Sequence, residues 1–284
     1  MLKQRVITAI VLLLILLPAL FYASPAPFCL VALVLISAGA WEWARLNGCG
    51  SMASFGFGGL LTLAGGATWA GGLLAVNLFW VWAVATGCWV IVGAWLLHQG
   101  VPAWAAIPRW LRLMGGFLML WCAWLAVAQA RVVGLNFLLS SLVLVWVADI
   151  FAYFAGKAWG GRVIHRKLAA SISPGKSWEG VAGGMLGVVS LALAWLWIDR
   201  TWQLTVSSFY SHLAAQGAGW LVLGVLMMVT LSVAGDLIES LIKRSAGVKD
   251  SSGLLPGHGG VLDRVDALLP TLPLAMMFYA LITS

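Results

Sequence analysis

The feature that most constrains this chain is a series of long apolar stretches separated by short polar segments. A helix needs roughly 20 mainly apolar residues to cross the hydrocarbon core of a bilayer. Lipid offers the backbone no hydrogen-bond partners, so only helices and closed barrels span it, and continuous apolar stretches of this length exclude a barrel. The sequence therefore predicts an all-α polytopic integral membrane protein. About nine transmembrane helices are predicted, at roughly residues 4–22, 26–46, 55–74, 76–97, 110–130, 135–155, 177–198, 219–242 and 266–283.

The composition excludes a soluble alternative. Hydrophobic residues make up 62% of the 284 residues, and charged residues make up only 9%. A soluble domain usually carries about 25% charged residues. No soluble fold of this length could bury so much apolar surface, so lipid must cover most of it.

The placement of positive charge predicts the orientation of the chain in the membrane. All but two of the 16 lysine and arginine residues fall in segments on the same side as the N-terminus, the exceptions being Arg131 and Arg200. Cytoplasmic loops carry an excess of lysine and arginine. We therefore expect a cytoplasmic N-terminus and, after nine crossings, a C-terminus on the outer side. Two inner loops, residues 156–176 and 243–265, hold most of the inner positive charge.

An aspartate lies within an otherwise apolar stretch. Asp149 is followed by Tyr153 and Lys157, which share its helical face. A charged side chain at membrane depth costs about 2.5–3.5 kcal/mol on insertion scales, so such residues are usually paired or functional. One interpretation is an ion pair with Lys157 or with a neighbouring helix. The other is a contact to a cation or a substrate.

A second acidic pair lies at the inner end of the eighth predicted helix. Asp236, Ser240 and Lys243 are spaced to share one helical face, and Glu239 lies beside them. A salt bridge between Glu239 and Lys243 at the helix end would account for Glu239. It would leave Asp236 without a structural reason, which favours a functional role for that carboxylate.

The loop that follows combines glycines, bases, a histidine and carboxylates. Gly257, Gly259 and Gly260 flank His258 and allow a ligand to approach the main chain closely. Capping of the last helix by Asp263 is the simplest structural interpretation of that residue. It does not explain the glycine turn, the bases and Asp236 on one face of the membrane. Carboxylates among bases indicate phosphate bridged by Mg²⁺, a cation that prefers oxygen ligands and is commonly shared with substrate phosphates.

The first inner loop ends in Ser173-Pro-Gly-Lys176-Ser177. The last three residues resemble the end of a P-loop, but that pattern requires glycine at position 170, where this chain has alanine. A turn that places a lysine at a helix N-terminus suits an anion. The alternative is a simple helix cap by Ser173 or Ser177, with Glu179 in the first turn.

These motifs together resemble the phosphatidate cytidylyltransferase family. The stretch from Ser240 to Asp266 fits the family signature: Ser-x-apolar-Lys-Arg, four residues, Lys-Asp, then Pro-x-His-Gly-Gly-x-x-Asp-Arg-x-Asp. Residues 149–156 and 173–180 look like two further family motifs. The resemblance is sharp over residues 149–180 and 236–266. It divides the chain into N-terminal transmembrane helices, residues 1–130, and a catalytic transmembrane region, residues 131–284, with inner loops 156–176 and 243–265.

The resemblance implies that CTP and phosphatidic acid are converted to CDP-diacylglycerol and pyrophosphate, with Mg²⁺ as the required cation and a second, monovalent cation as a further expectation. It implies the bacterial inner membrane, an active site facing the cytoplasm, contacts with membrane lipids, a homodimer, and no nucleic acid partner. The family also associates the aspartates that match Asp236 and Asp263 with the metal centre.

The chemistry of the residues agrees in kind with this reaction. A phosphate oxygen of phosphatidic acid attacks the α-phosphorus of CTP, so the protein mainly positions the reactants and neutralises charge. We expect Asp236 and Asp263 to hold metal, and Asp266, Asp250 and Lys249 to complete the catalytic group. The candidate substrate-binding residues are Lys176, Ser173, Arg244, Lys243, His258, Gly259, Gly260, Arg264 and Asp149.

Three other functions compete with this hypothesis. A membrane transporter for an anionic solute would place its site near the midplane and often shows repeated halves, whereas this sequence has no clear repeat and its polar residues cluster at one face. A CDP-alcohol phosphotransferase would carry a motif that opens Asp-Gly, and the chain contains no Asp-Gly pair. A purely structural membrane protein would not need the second inner loop.

Overall fold

The computed structural model describes residues 2–283, and this part of the chain is helical without strands. Two isolated antiparallel bridges, between residues 169 and 173 and between 255 and 259, lie inside the two inner loops. The predicted all-α class is confirmed. The helices are α1 Leu2–Phe21, α2 Ala26–Leu46, α3 Ser51–Ala70, α4 Phe79–Gln99, α5 Val101–Ala106, α6 Arg109–Val133, α7 Leu135–Trp159, α8 Trp178–Trp202, α9 Phe209–Ala215, α10 Ala218–Ser245, α11 Leu262–Val265 and α12 Leu268–Ile282.

Each predicted transmembrane segment falls on one helix: α1, α2, α3, α4, α6, α7, α8, α10 or α12. Seven helices within residues 2–283 are both long and apolar enough to cross a membrane, namely α1, α2, α4, α6, α7, α8 and α10. Helix α3 has 20 residues but a lower mean hydropathy, and α12 has only 15 residues. The chain is a multi-pass membrane protein, while the count of nine crossings and the orientation stay predictions.

Glycines bring α7 and α8 close together. A Cβ added at Gly183 would lie 2.2 Å from the Cβ of Ala155, and one added at Gly187 would lie 2.4 Å from Cγ of Phe151. Small residues at spacings of three or four let helix backbones approach closely in membranes. Close packing of α7 against α8 is therefore the role of these glycines. The contact places Asp149 of α7 next to the N-terminus of α8.

Helix α10 lies at the centre of the bundle and packs against α4, α5, α7, α8, α9 and α12. Its Gly235 leaves room for the start of α12, because a Cβ there would lie 2.6 Å from the carbonyl oxygen of Asp266 and 2.9 Å from Cγ of Pro270. The absence of a side chain at Gly235 allows Asp266 to lie beside the turn of α10 that carries Asp236.

The opposite ends of α7 and α8 are tied together by Asp199. Its carboxylate accepts hydrogen bonds from Asn136 Nδ2 at 2.9 Å, from the Ser208 amide at 3.1 Å and from Ser211 Oγ at 2.6 Å. This network closes the connection between α8 and α9. It explains the polar residues of that connection as structural, and it leaves the two inner loops as the candidates for function.

Candidate active site

The first inner loop is folded onto the start of α8. Ser177 caps the helix, because its Oγ accepts a hydrogen bond from the Gly180 amide at 3.1 Å. Glu179 Oε1 accepts backbone hydrogen bonds from Gly161, Val163 and Ile164 at 3.2, 3.1 and 2.8 Å. The capping interpretation is therefore confirmed for Ser177. The Ser173 amide instead donates to the carbonyl of Ala169 within the loop's own turn.

The helix cap leaves Lys176 free to reach across to α10. Its Nζ forms a salt bridge with Oδ2 of Asp236, and Asp236 Oδ1 accepts a hydrogen bond from Ser240 Oγ at 3.3 Å. The two side chains of the salt bridge stay 25% and 30% exposed. The structure thus joins the first inner loop to α10 through a pair of opposite charges that a ligand can still reach.

Asp149 belongs to the same group of charges. Its electrostatic neighbours are Lys176 and Asp236. The alternative partner, Lys157, instead places its Nζ 5.9 Å from the ring centroid of Tyr153. Within the ion-pair interpretation of Asp149, the structure favours a charge on another element over Lys157 of α7. The other interpretation, a contact to a cation or a substrate, stays a prediction.

A cavity of about 390 Å³ opens between α7, α8 and α10 at this position. Asp149, Lys157, Lys176 and Asp236 line its polar part. Apolar side chains and small residues line the remainder: Ala148, Ala152, Val181, Gly184, Val229 and Val233. The cavity therefore offers both charge for a phosphate and apolar wall for hydrocarbon.

A second charged group lies at the end of α10. Lys243 Nζ is 2.5 Å from Glu239 Oε2 and 2.6 Å from Asp263 Oδ1. The predicted salt bridge of Glu239 with Lys243 is confirmed, and Asp263 is its third member. A role of Lys243 in phosphate binding stays a prediction, since its ammonium is here held between two carboxylates.

Asp263 is the most heavily hydrogen-bonded of the predicted carboxylates. Its Oδ2 accepts from the Ser251 amide at 2.9 Å, from Ser251 Oγ at 2.9 Å and from the Gly260 amide at 2.7 Å. Burial raises the pKa of the Asp263 carboxyl, but the hydrogen bonds from Lys243, Gly260 and Ser251 outweigh burial and lower the pKa to about 2. Asp263 lies in the first turn of α11, and the N-cap residue of the last helix, α12, is Ala267, so the prediction that Asp263 caps the last helix is wrong.

The two charged groups meet at Asp266. Its electrostatic neighbours are Asp236 and Asp149 of the first group and Lys243 of the second. The carboxyl oxygen Oδ1 accepts from the backbone amide of Ala267 at 2.7 Å. Asp236 and Asp263 therefore lie at the same end of the bundle, each paired with a lysine. Asp266 lies between their two groups, near charges of both.

The glycine turn of the second loop has the conformation that requires glycine. Gly257 and Gly259 have φ of 76° and 80°, values that other residues rarely adopt. His258 lies between them with a buried Nδ1 that has no hydrogen-bond partner, and its carbonyl accepts from Arg264 Nε at 2.9 Å. The turn itself passes close to Asp263, because a Cβ at Gly259 would lie 2.6 Å from Asp263 Oδ2.

The remaining bases of the second loop face outward. Arg244, Lys249 and Arg264 are exposed, as is Asp250. Arg244 Nη1 donates to the carbonyl of Val248 at 3.3 Å. The three exposed bases belong to the same loop as Asp263 or to the end of α10 before it, and their charge favours an anion that approaches from the aqueous side.

Glu42 is a site residue that the sequence reasoning did not single out. It lies in α2, is fully buried, and accepts hydrogen bonds from the second inner loop. Helix α1 also contacts this loop, because Thr8 Oγ1 donates to the carbonyl of Pro256 at 2.9 Å. The signal was present: an acidic residue within an apolar stretch, the same signal that identified Asp149.

The carboxylates fit a metal that is shared with a substrate. Within residues 2–283, no three acidic, histidine or cysteine side chains are arranged to hold an ion by themselves. Mg²⁺ commonly takes only one or two protein carboxylates and completes its shell with water and substrate phosphates. Asp236, which is partly exposed and lines the cavity, suits that kind of ligation.

Comparison with known proteins gives one consistent family. Residues 3–282 match the sequence profile of the Cytidylyltransferase family. A phosphatidate cytidylyltransferase of Pseudomonas aeruginosa is 42% identical over 96% of this chain and 95% of its own length. Proteins of the same name from Haemophilus influenzae and Brucella melitensis are 38% and 37% identical, over 98% and 66% of this chain and 99% and 72% of their own lengths. With a match across nearly its whole length, this chain belongs to the cytidylyltransferase family.

Proposed function

We propose that this protein is a phosphatidate cytidylyltransferase, which joins CTP to phosphatidic acid and releases pyrophosphate. The observation that carries the proposal is the cavity between α7, α8 and α10, where Lys176 and Asp236 lie beside a wall of Val181, Val229 and Val233. A lipid phosphate needs charge and apolar surface side by side. The names of the relatives, over nearly the full length of the chain, support the same reaction.

The reaction is a displacement at phosphorus. An oxygen of the phosphatidic acid phosphate forms a bond to the α-phosphorus of CTP, and the bond from that phosphorus to the bridging oxygen of the β-phosphate breaks. Pyrophosphate leaves with the electron pair. Such a transfer asks for positioning and charge neutralisation and needs no nucleophilic side chain.

The charged residues have separate parts in this proposal. Lys176 is salt-bridged to Asp236 and exchanges that partner for a substrate phosphate when substrate binds. Arg244, Lys249 and Arg264, all exposed around the second loop, attract and hold the triphosphate. Apolar surface near Val229 and Val233 covers the first carbons of the acyl chains.

Mg²⁺ is part of the proposal, with Asp236 and Asp263 as its protein ligands. The ion would neutralise charge on the triphosphate as pyrophosphate leaves. Asp263 is held ionised and fixed in direction by Lys243, Ser251 and Gly260, and Asp236 is accessible from the cavity. Both carboxylates already lie beside a lysine, Lys176 for Asp236 and Lys243 for Asp263.

We place the protein in the bacterial inner membrane as a homodimer, with the site facing the cytoplasm. The exposed bases Lys157, Arg244 and Lys249 lie at the end of the bundle that carries the site, in agreement with the positive-inside rule. Cysteine labelling from either side of the membrane tests the orientation, and mass measurement in nanodiscs tests the dimer.

The direct test uses purified protein in detergent with phosphatidic acid, Mg²⁺ and CTP labelled at the α-phosphate. The proposal predicts label in a lipid product that depends on phosphatidic acid. Folded protein that transfers no label to lipid would contradict it. Uptake of an anion by liposomes containing that protein would then identify it as a transporter.

A further inference from the structure

We propose that Glu42 is a positioning residue of the active site: its buried carboxylate on α2 fixes the loop of residues 251–262 and, through Ser251 and Gly260, the direction of Asp263. The inference rests on the proposed function, because it takes Asp263 to act on substrate. Its physical basis is a set of contacts between α2 and the loop, more than 200 residues apart in sequence.

Glu42 is 0% exposed, yet it forms no salt bridge within the part of the chain that the structure describes. The oxygens of a buried acidic side chain without a cation must find hydrogen-bond donors, because leaving them unpaired away from water is costly. The donors come entirely from the loop. Glu42 Oε1 accepts from Ser252 Oγ at 2.5 Å and from the Val261 amide at 2.9 Å, and Oε2 accepts from Ser251 Oγ at 3.2 Å and from the Leu262 amide at 2.8 Å.

The need is mutual. Val261 and Leu262 open α11, where the first amides have no partner within the helix. The cap residue of α11 supplies no side-chain hydrogen bond. Glu42 satisfies both buried amides from another helix and so determines where α11 begins. Asp263 is the next residue along the chain.

Ser251 links Glu42 to Asp263. Its Oγ lies 3.2 Å from Glu42 Oε2 and 2.9 Å from Asp263 Oδ2, while its amide donates to Asp263 at 2.9 Å. A hydroxyl carries one hydrogen and serves one carboxylate at a time. The two carboxylates therefore share one donor, and a change at Glu42 alters the hydrogen bonding of Asp263 without touching it.

Gly260 completes the arrangement. A Cβ at this position would lie 2.0 Å from Ser251 Oγ and 2.4 Å from Glu42 Oε1. The Gly260 amide donates to Asp263 Oδ2 at 2.7 Å. Only glycine fits here, because any side chain would collide with Ser251 and Glu42. The same close approach of the backbone to Glu42 lets the Gly260 amide donate to Asp263.

Helix α2 is held in the bundle by contacts that do not involve Glu42. Trp43 Nε1 donates to the carbonyl of Arg112 at 3.0 Å, and Trp124 Nε1 donates to the carbonyl of Cys29 at 3.1 Å. Neither of these bonds to α6 involves the side chain at position 42. A substitution there is expected to loosen the loop and leave the bundle intact.

The test is Glu42→Gln, which keeps size and shape. Whichever oxygen becomes the amide nitrogen, either Val261 or Leu262 loses its acceptor and faces another N–H. We expect kcat for lipid product to fall roughly 10- to 100-fold, the range for partners that orient a ligand. The KM values for both substrates should stay within about threefold, because the bases that hold substrate are unchanged. Hydrogen exchange should rise in residues 251–262 and stay unchanged in α7 and α10.

The matched control is Gln129→Leu. Gln129 is also buried, lies in α6, and donates to the carbonyls of Leu73 and Val76 at 2.7 and 2.9 Å. Its loss is expected to lower thermal stability without lowering kcat per folded molecule. The contrast separates a general structural effect from positioning of the site.

Three results would overturn the inference: wild-type kcat in Glu42→Gln, a loss of kcat accompanied by faster exchange in every helix, or unchanged exchange in residues 251–262. If Glu42→Gln does not fold, Ser252→Ala removes the 2.5 Å bond to Glu42, together with the local 3.0 Å bond from the Leu254 amide, and should lower kcat about fivefold. Wild-type kcat in that variant overturns the inference as well. A wild-type protein that makes no lipid product refutes the proposed function alone, since hydrogen exchange still tests the hold of Glu42 on the loop.

Discussion

Asp263→Asn replaces a charged acceptor by an amide of the same size. Three donors converge on Oδ2, from Ser251 and Gly260, so the amide oxygen must take that position. The amide nitrogen then faces Lys243 Nζ, which lies 2.6 Å from Oδ1 in the wild type. Two donors cannot remain at this distance, so Lys243 is displaced toward Glu239 and the ionic contact at Asp263 is lost.

The cost in stability follows from the pKa of Asp263. The structure lowers that pKa from 3.8 to about 2, which corresponds to about 2 kcal/mol favouring the folded state. This stability is present above about pH 4 and is lost as the pH falls toward 2. Since a native domain is stable by about 5–15 kcal/mol, the variant should fold and insert at neutral pH.

Activity should fall far more than stability. A carboxylate that holds a metal or a reacting phosphate in place contributes through charge and position, so we expect kcat to drop by at least about 100-fold. The assay is transfer of label from the α-phosphate of CTP to lipid, with thermal unfolding in the same detergent as the control for folding. A folded variant with wild-type kcat would refute the reasoning and reduce Asp263 to a structural partner of Lys243.

Lys176→Ala should raise KM for CTP or phosphatidic acid about tenfold, because a charge-assisted contact to phosphate is lost; unchanged kinetics would leave Lys176 as a structural partner of Asp236. EDTA should abolish transfer and added Mg²⁺ should restore it, whereas activity that persists in EDTA would remove the ion from the site. Gly183→Val should destabilise the protein by about 1–3 kcal/mol or more in thermal unfolding, since a Cβ there meets Ala155 at 2.2 Å. The control Gly59→Ala, with no atom within 4 Å of its Cβ, should be neutral, and equal stability of both variants would contradict the packing role.

The helices of the bundle were predictable because a helix that spans a membrane requires a long apolar stretch. Apolar length alone located every long helix, and lysine placement identified the two inner loops. The first residue of α12 was less predictable: the helix begins at Leu268, after the short helix α11. The prediction started that segment at Asp266, because hydropathy does not report the turn between two helices.

The partners of the charged residues were only partly predictable. Helical spacing was sufficient for Glu239 and Lys243, four residues apart on α10. It could not show that Lys176 pairs with Asp236, because that contact depends on how α8 and the loop before it pack against α10. Contacts between distant segments need the packed structure.

Glu42 shows why motif spacing does not reveal every residue that contacts the site. The predicted site residues lie in segments where several polar residues recur at short spacing, whereas in α2 the only other charged residue is Arg45. The partners of Glu42 lie about 210 positions later. The energetic cost of a lone buried carboxylate was the available signal, and it indicates a partner without identifying one.

The central claim is that carboxylates and bases from separate inner segments hold a divalent ion together with the triphosphate of CTP. A structure determined in a nanodisc with a nonhydrolysable CTP analogue and Mg²⁺ tests this most directly. The account predicts density for the triphosphate against Arg244, Lys249 and Arg264, and an ion that contacts Asp236 and Asp263. Nucleotide bound elsewhere, or an ion that contacts neither aspartate, would contradict it.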